Sequence, residues 1–220
     1  IQPSAPSGQQ TTLTPTVSWS GNGSWKYVVE ITRNDGLGGW PVIYTSAELT
    51  STTHPIPSGE LDWNKEYNVY VRCRDHAGNL GVNGSARNFN TFDTVAPSAP
   101  GTIDLASASD TGSSSTDNLT SLNTGLTFSW GAATDSHSGV AGYQWHFDSD
   151  AWSPAGSDTT ETYNGLGIGN GPHTLYVRAV DNAGRTGPSR SFNFEVDTQA
   201  PAGIQPSAPS GQQTTLTPTV

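Results

Sequence analysis

"EYNVYVRCRDHAG", residues 66–78, and "HTLYVRAVDNAG", residues 173–184, decide the fold of this chain. In the first, Tyr67, Val69, Val71 and Cys73 alternate with Asn68, Tyr70, Arg72 and Arg74. Successive strand side chains point to opposite faces, so this period of two predicts one buried and one solvated face. The second stretch repeats the pattern with Leu175, Val177 and Ala179 inward. Both close on Asp-x-Ala-Gly, where Gly78 and Gly184 suit hairpin turns that need positive φ. Working outward, "KYVVEIT" places Tyr27, Val29 and Ile31 on one face, and "RSFNFEV" does the same with Phe192, Phe194 and Val196. Helical three-four spacing is sustained nowhere, so the class is all-β.

The two stretches belong to a repeat. "TPTVSWS" near Trp19 matches "LTFSWG" near Trp130, and "FDTVAPSAP" from Phe92 matches "VDTQAPAG" from Val196. The offsets are 111 for the tryptophans, 106 for Tyr70 to Tyr176 and 104 for Asp93 to Asp197, a drift expected where loop lengths differ. Two tandem domains follow, residues 1–94 and 95–200, with Asp-Thr-x-Ala-Pro at each boundary, where proline stops strand continuation. Residues 201–220 read as a linker and the start of a further copy, because 204–220 repeat 1–17 without a substitution. That identity predicts a longer array of 203-residue units, with 204–220 taking the path of 1–17 in the next copy.

Composition narrows the function. Of 220 residues, nine are Lys or Arg and 19 Asp or Glu, a net charge of −10. A basic nucleic-acid footprint is absent, and no stretch approaches the ~20 apolar residues of a membrane-spanning helix. Neither nucleic acid nor membrane insertion of this segment is therefore expected. No leader opens the sequence and it contains no Met, so a secretion signal is expected outside it. Cys73 is the lone cysteine, which rules out an internal disulfide.

These motifs resemble fibronectin type III and bacterial immunoglobulin-like domains, as found in tandem arrays of giant surface proteins of the adhesin type. Trp19 and Trp130 stand where that family buries a tryptophan, and "LDWNKEYNVYV" resembles its corner, with Leu61 and Tyr67 in register. The resemblance implies two β-sandwiches, with a Tyr67 hydroxyl tied back to the backbone of the turn. His173 replaces that tyrosine in the second domain and puts the tie there in doubt.

The main candidate site is "SASDTGSSSTDN", residues 107–118. The second domain carries about a dozen more residues than the first before its Ser-Trp strand, and they include Asp110 and Asp117. Carboxylates among small residues can wrap a hard cation with oxygen ligands. Some repeats of the resembled type bind calcium, which implies calcium at Asp110 and Asp117, with Asp104 or Asp93 as a further ligand. The alternative is a polar loop held by Asx turns. The "DTG" at Asp110 also resembles the aspartic-protease motif, but a second such motif is missing and the chemistry needs two carboxylates sharing a proton.

Other candidates have structural readings. Of seven tryptophans, Trp19, Trp130 and Trp63 are expected in core or corner positions. Trp25, Trp40, Trp145 and Trp152 could stack on sugars, or pack at sheet edges or against a neighbouring domain. His54, His76, His137, His146 and His173 lack zinc spacing. Asp75 and Asp181 open the Asp-x-Ala-Gly turns, where turn hydrogen bonding is reason enough for them. No acid–base pair or nucleophile elbow is present, so no catalysis is expected. The expected role is a structural repeat of a long extracellular or cell-surface protein, partnered by neighbouring copies. One alternative is a glycan-binding or accessory module of a secreted polysaccharide-degrading enzyme. Another is a filament built by strand exchange through "TTLTPTV".

Overall fold

A computed structural model describes residues 1–21 and 26–203; the expectations for Trp25 and for 204–220 lie outside these described residues. The chain is all-β and forms two sandwiches in tandem. In the first, β1 (Pro3–Ala5), β3 (Thr16–Trp19) and β6 (Thr53–Pro55) make a three-stranded sheet in the order β1-β3-β6. It faces a five-stranded sheet of β2 (Gly8–Gln10), β8 (Arg87–Thr91), β7 (Glu66–Arg74), β4 (Lys26–Arg33) and β5 (Val42–Thr45), in that order. In the second, β9 (Ile103–Leu105), β11 (Leu126–Trp130) and β13 (Thr160–Tyr163) form one sheet, with β11 central. The other is β10 (Leu119–Thr120), β15 (Arg190–Val196), β14 (Gly171–Asp181) and β12 (Val140–Phe147), in that order.

Each sandwich has its own core. Val17, Trp19, Tyr27, Val29, Ile31, Tyr67, Val69, Val71 and Phe89 fill the first. Leu105, Leu126, Phe128, Trp130, Tyr143, Leu175, Val177, Ala179, Phe194 and Val196 fill the second. The alternation read from the sequence is thus the inward face of β4, β7, β14 and β15. Trp19 and Trp130 are 4% and 6% exposed and meet a tyrosine edge-on in the same way, Tyr27 at 5.4 Å and Tyr143 at 5.8 Å. Asn68 departs from the pattern: it lies on the nominally outer face and is buried.

The first strand of each sandwich is split between its two sheets. In the first domain β1 pairs antiparallel with β3, and β2 then pairs parallel with β8. Only Pro6 and Ser7 lie between them, and Gly8, at φ 63°, makes the switch. In the second domain β9 pairs with β11 and β10 pairs parallel with β15, but residues 106–118 intervene. The extra residues noted in the sequence are therefore an insertion between two half-strands.

Candidate functional site

The segment that predicts calcium is a folded loop. Ser109 and Asp110 are buried, and the Ser109 hydroxyl accepts from Thr127 N–H at 2.9 Å. Asp110 Oδ2 accepts from Asn118 N–H at 3.2 Å, and the Asp110 and Asp117 side chains meet. Asp117 Oδ1 accepts from Leu119 N–H, while its Oδ2 accepts from the Ser113 hydroxyl and Ser114 N–H, all at 3.1–3.2 Å. Burial pushes the Asp117 carboxyl up, but these donors outweigh it and hold it below the ordinary carboxylate range. Asp104 does not join them; it lies exposed on β9, between the inward Ile103 and Leu105.

A second acidic group lies at the joint between the domains. Carboxylate oxygens of Asp93, Asp135 and Asp181 all come within 4.8 Å of one another. Asp93 comes from the connecting segment after β8, Asp135 from the β11–β12 loop, and Asp181 from the last position of β14. Asp93 is 0% and Asp181 1% exposed. Backbone donors orient each carboxylate. Asp93 Oδ1 accepts from Val95 N–H at 2.8 Å and its Oδ2 from Ser138 N–H at 3.0 Å. Asp135 Oδ1 accepts from His137 and Gly139 N–H at 3.0 and 2.8 Å. Asp181 Oδ1 accepts from Ala183 and Arg185 N–H, both at 2.8 Å. Asp135 Oδ2 and Asp181 Oδ2 are buried without any donor. Turn bonding therefore explains only half of Asp181, contrary to the sequence reading.

The same joint is knitted across the domain boundary. Trp63 stacks on His137 at 4.2 Å between ring centres, with planes 12° apart. Trp63 thus lies in the corner before β7, one of the two positions expected of it, and is at the same time a contact between domains. Asp93 N–H donates to Asn64 Oδ1 at 3.2 Å, and Arg185 Nε donates to the Asp93 carbonyl at 2.9 Å. His137 Nδ1 lies 3.2 Å from Asp93 Oδ1. The sequence signals for this site were Asp93 in the boundary motif and Asp181 in the turn motif. Asp135 and His137, in "TDSHSG", carried no signal, because only the fold brings that loop beside the connector.

The remaining tryptophans are dispersed. Trp40 is 37% exposed, Trp145 packs on Phe147 and Tyr163, and Trp152 lies 4.0 Å beneath the Arg178 guanidinium. Among the described residues no two tryptophans stack. No helix of the described residues is long and apolar enough to cross a membrane.

The chain is 28% identical over 207 residues to exoglucanase B of Cellulomonas fimi, covering 90% of this chain and 17% of that enzyme's length. Among solved structures it is similar to chicken CNTN1 domains FN1–FN3, at 16% identity and a TM-score of 0.37, covering 89% of this chain and 64% of that one. It is also similar to the fibronectin(III)-like modules of Clostridium thermocellum CbhA, at 14% identity and a TM-score of 0.33, covering 88% and 92%. Residues 96–198 match the family described as the bacterial Ig-like domain, the type its sequence resembles.

Proposed function

We propose that this chain is a non-catalytic spacer of a longer extracellular protein, holding the domains on either side of it at a set separation and angle. The observation that carries this reading is the joint. Trp63 and Asn64 of the first domain, Asp93 of the connector, and His137, Ser138 and Arg185 of the second are tied by stacking and hydrogen bonds. Freely hinged domains have no need of such contacts. The dispersal of the tryptophans among the described residues also favours support over sugar stacking. Tandem copies in a surface stalk or fibre would use the joint in the same way.

A second reading is favoured by the similarity to exoglucanase B, which spans both domains of this chain but a small part of the enzyme. The same spacer would then act as an accessory module in a polysaccharide-degrading protein. Backbone relaxation by NMR tests the common core of both readings: the two domains should share one rotational tumbling time. Independent tumbling would refute the spacer role. Retention on insoluble cellulose, lost on replacing Trp40 or Trp152, would replace it with a glycan-binding one.

A further inference from the structure

We propose that the tail of the second sandwich docks on the head of the first sandwich of another copy of this chain, with Leu122 and Leu166 meeting Leu80 and Val82. The head of a sandwich is the end with the Asp-x-Ala-Gly turn, and the tail is the end with the corner before β7 or β14. The proposal rests on the spacer reading and extends it from the joint inside the chain to the joint between copies. The internal joint shows which loops meet. Leu13, Leu61 and Trp63 line its groove from the β2–β3 and β6–β7 loops of the first sandwich. His137, Ser138 and Asn182 line it from the β11–β12 loop and the turn after β14 of the second. Beyond that turn, Gly187 lies so close to the connector that a Cβ would stand 2.4 Å from the Pro97 oxygen.

The counterparts of these loops recur at the outer ends of the chain. At the tail of the second sandwich, the β10–β11 and β13–β14 loops are bonded together. Ile168 N–H donates to the Asn123 carbonyl at 2.8 Å, and the Thr124 hydroxyl donates to the Gly165 carbonyl at 3.2 Å. These two loops expose Leu122 and, at 92%, Leu166. At the head of the first sandwich, Gly81 N–H donates to the Cys73 carbonyl at 2.9 Å, just as Gly187 N–H donates to the Ala179 carbonyl at 3.0 Å. Gly81 is therefore the counterpart of Gly187, and it is flanked by the exposed Leu80 and by Val82, which is 91% exposed. No charged residue occurs in 80–86, 121–125 or 164–170, although the chain has a net charge of −10. The loops of the internal joint instead carry Asp135, His137, Asp181 and Arg185. Like charges therefore do not oppose the outer contact, and burial of apolar surface drives it. The occupant is another copy because residues 204–220 repeat 1–17 without a substitution, which sets a first sandwich after a second. Tail and head are different surfaces, so the contact is heterologous and does not close on itself. Between free chains it is weak, whereas a short link raises the effective concentration to about millimolar.

The test is sedimentation velocity of the 220-residue chain, raised in concentration to about the millimolar range. The wild type should grow past the dimer without settling at one size. Val82→Asp and Leu166→Asp should each weaken association about tenfold or more, because each sets a charge where an apolar side chain is buried. Both side chains are almost fully exposed within one chain, so neither change disturbs a core. An equimolar mixture of the two variants should associate again but stop at the dimer, since only one intact head and one intact tail remain to meet. Leu37→Asp, equally exposed but in the β4–β5 loop, should associate like wild type, as should the chain cut after residue 203. A wild type that stays monomeric would overturn the proposal, and so would a closed dimer or a mixture no better than its parts. Association lost in Leu37→Asp would assign the contact to the hairpin, and loss on removing 204–220 would assign it to strand exchange; either overturns the proposal. The spacer reading fails on a separate observation, unequal tumbling of the two sandwiches within one dilute chain, which association between copies does not alter.

Discussion

Tyr67 in the first domain and His173 in the second occupy the same point of the same strand pair, opposite Phe89 and Phe194 respectively, yet they close their corners differently. The Tyr67 hydroxyl accepts from Asp62 N–H at 2.8 Å and donates to the Asp62 carbonyl at 3.2 Å. His173 reaches back through Nε2 to the Gly169 carbonyl at 2.7 Å, and its Nδ1 holds the Asp148 carboxylate at 2.7 Å. The tie put in doubt by the sequence is thus remade with an imidazole. The Asp-x-Ala-Gly turns diverge as well. Asp75 sits in an exposed turn and bonds only within it, to Asn79, whereas Asp181 is buried in the joint. Two related sandwiches therefore keep their cores and differ at their ends, where one domain meets the next.

The strongest way to break this comparison is through the cores. Trp19→Ala and Trp130→Ala should each cost about 3–5 kcal/mol in urea unfolding, because both leave a cavity of the same kind. A loss under ~1 kcal/mol at either one would deny that the two positions are equivalent. Next comes the corner. Tyr67→Phe should cost about 1–2 kcal/mol by stranding Asp62 N–H. A neutral result would make the tie ornamental. Trp63→Ala should cost only about 0.5–1.5 kcal/mol, and its effect should be to separate the melting of the two domains. A loss as large as that of Trp19 would return Trp63 to a core.

The smallest effect is a pH dependence confined to the second corner. Burial draws the His173 pKa down, but the Asp148 hydrogen bond, the Gly169 carbonyl and the Asp148 charge outweigh it, and the net shift is upward. A raised folded pKa gives stability that is full below the unfolded value of about 6.5 and is lost as pH rises through the folded value. The second domain should therefore melt lower at pH 8.5 than at pH 5.5. His173→Tyr should flatten that slope, and an unchanged slope would assign it to another group.

The cores were legible in the sequence because alternation of apolar residues maps directly onto strand faces, as at Tyr67, Val69 and Val71. The paired tryptophans were legible for the same reason. The joint was not. Asp93 and Asp181 lie 88 positions apart, and Asp135 belongs to a loop with no apolar period, so their meeting depends on tertiary structure alone. The acidic segment at Asp110 and Asp117 carried the stronger compositional signal. There, however, its own hydroxyls and N–H groups occupy both Asp117 oxygens, which composition does not foretell.

The split first strand has a mechanical consequence. In each domain its second half runs parallel to the last strand, β2 beside β8 and β10 beside β15. Tension applied between the two ends drags these neighbours in opposite directions along their length, so their hydrogen bonds are loaded in shear, all at once, instead of being unzipped singly. In the first domain the load passes from β1 to the clamp through Pro6 and Ser7 alone. In the second, once β9 is stripped away, the 13 residues 106–118 straighten first, to a span of at most about 45 Å at ~3.4 Å per residue, before the β10–β15 clamp feels the pull. One sandwich is a short link and its neighbour carries slack in reserve, released only when Ile103 and Leu105 leave the second core while the parallel clamp still holds.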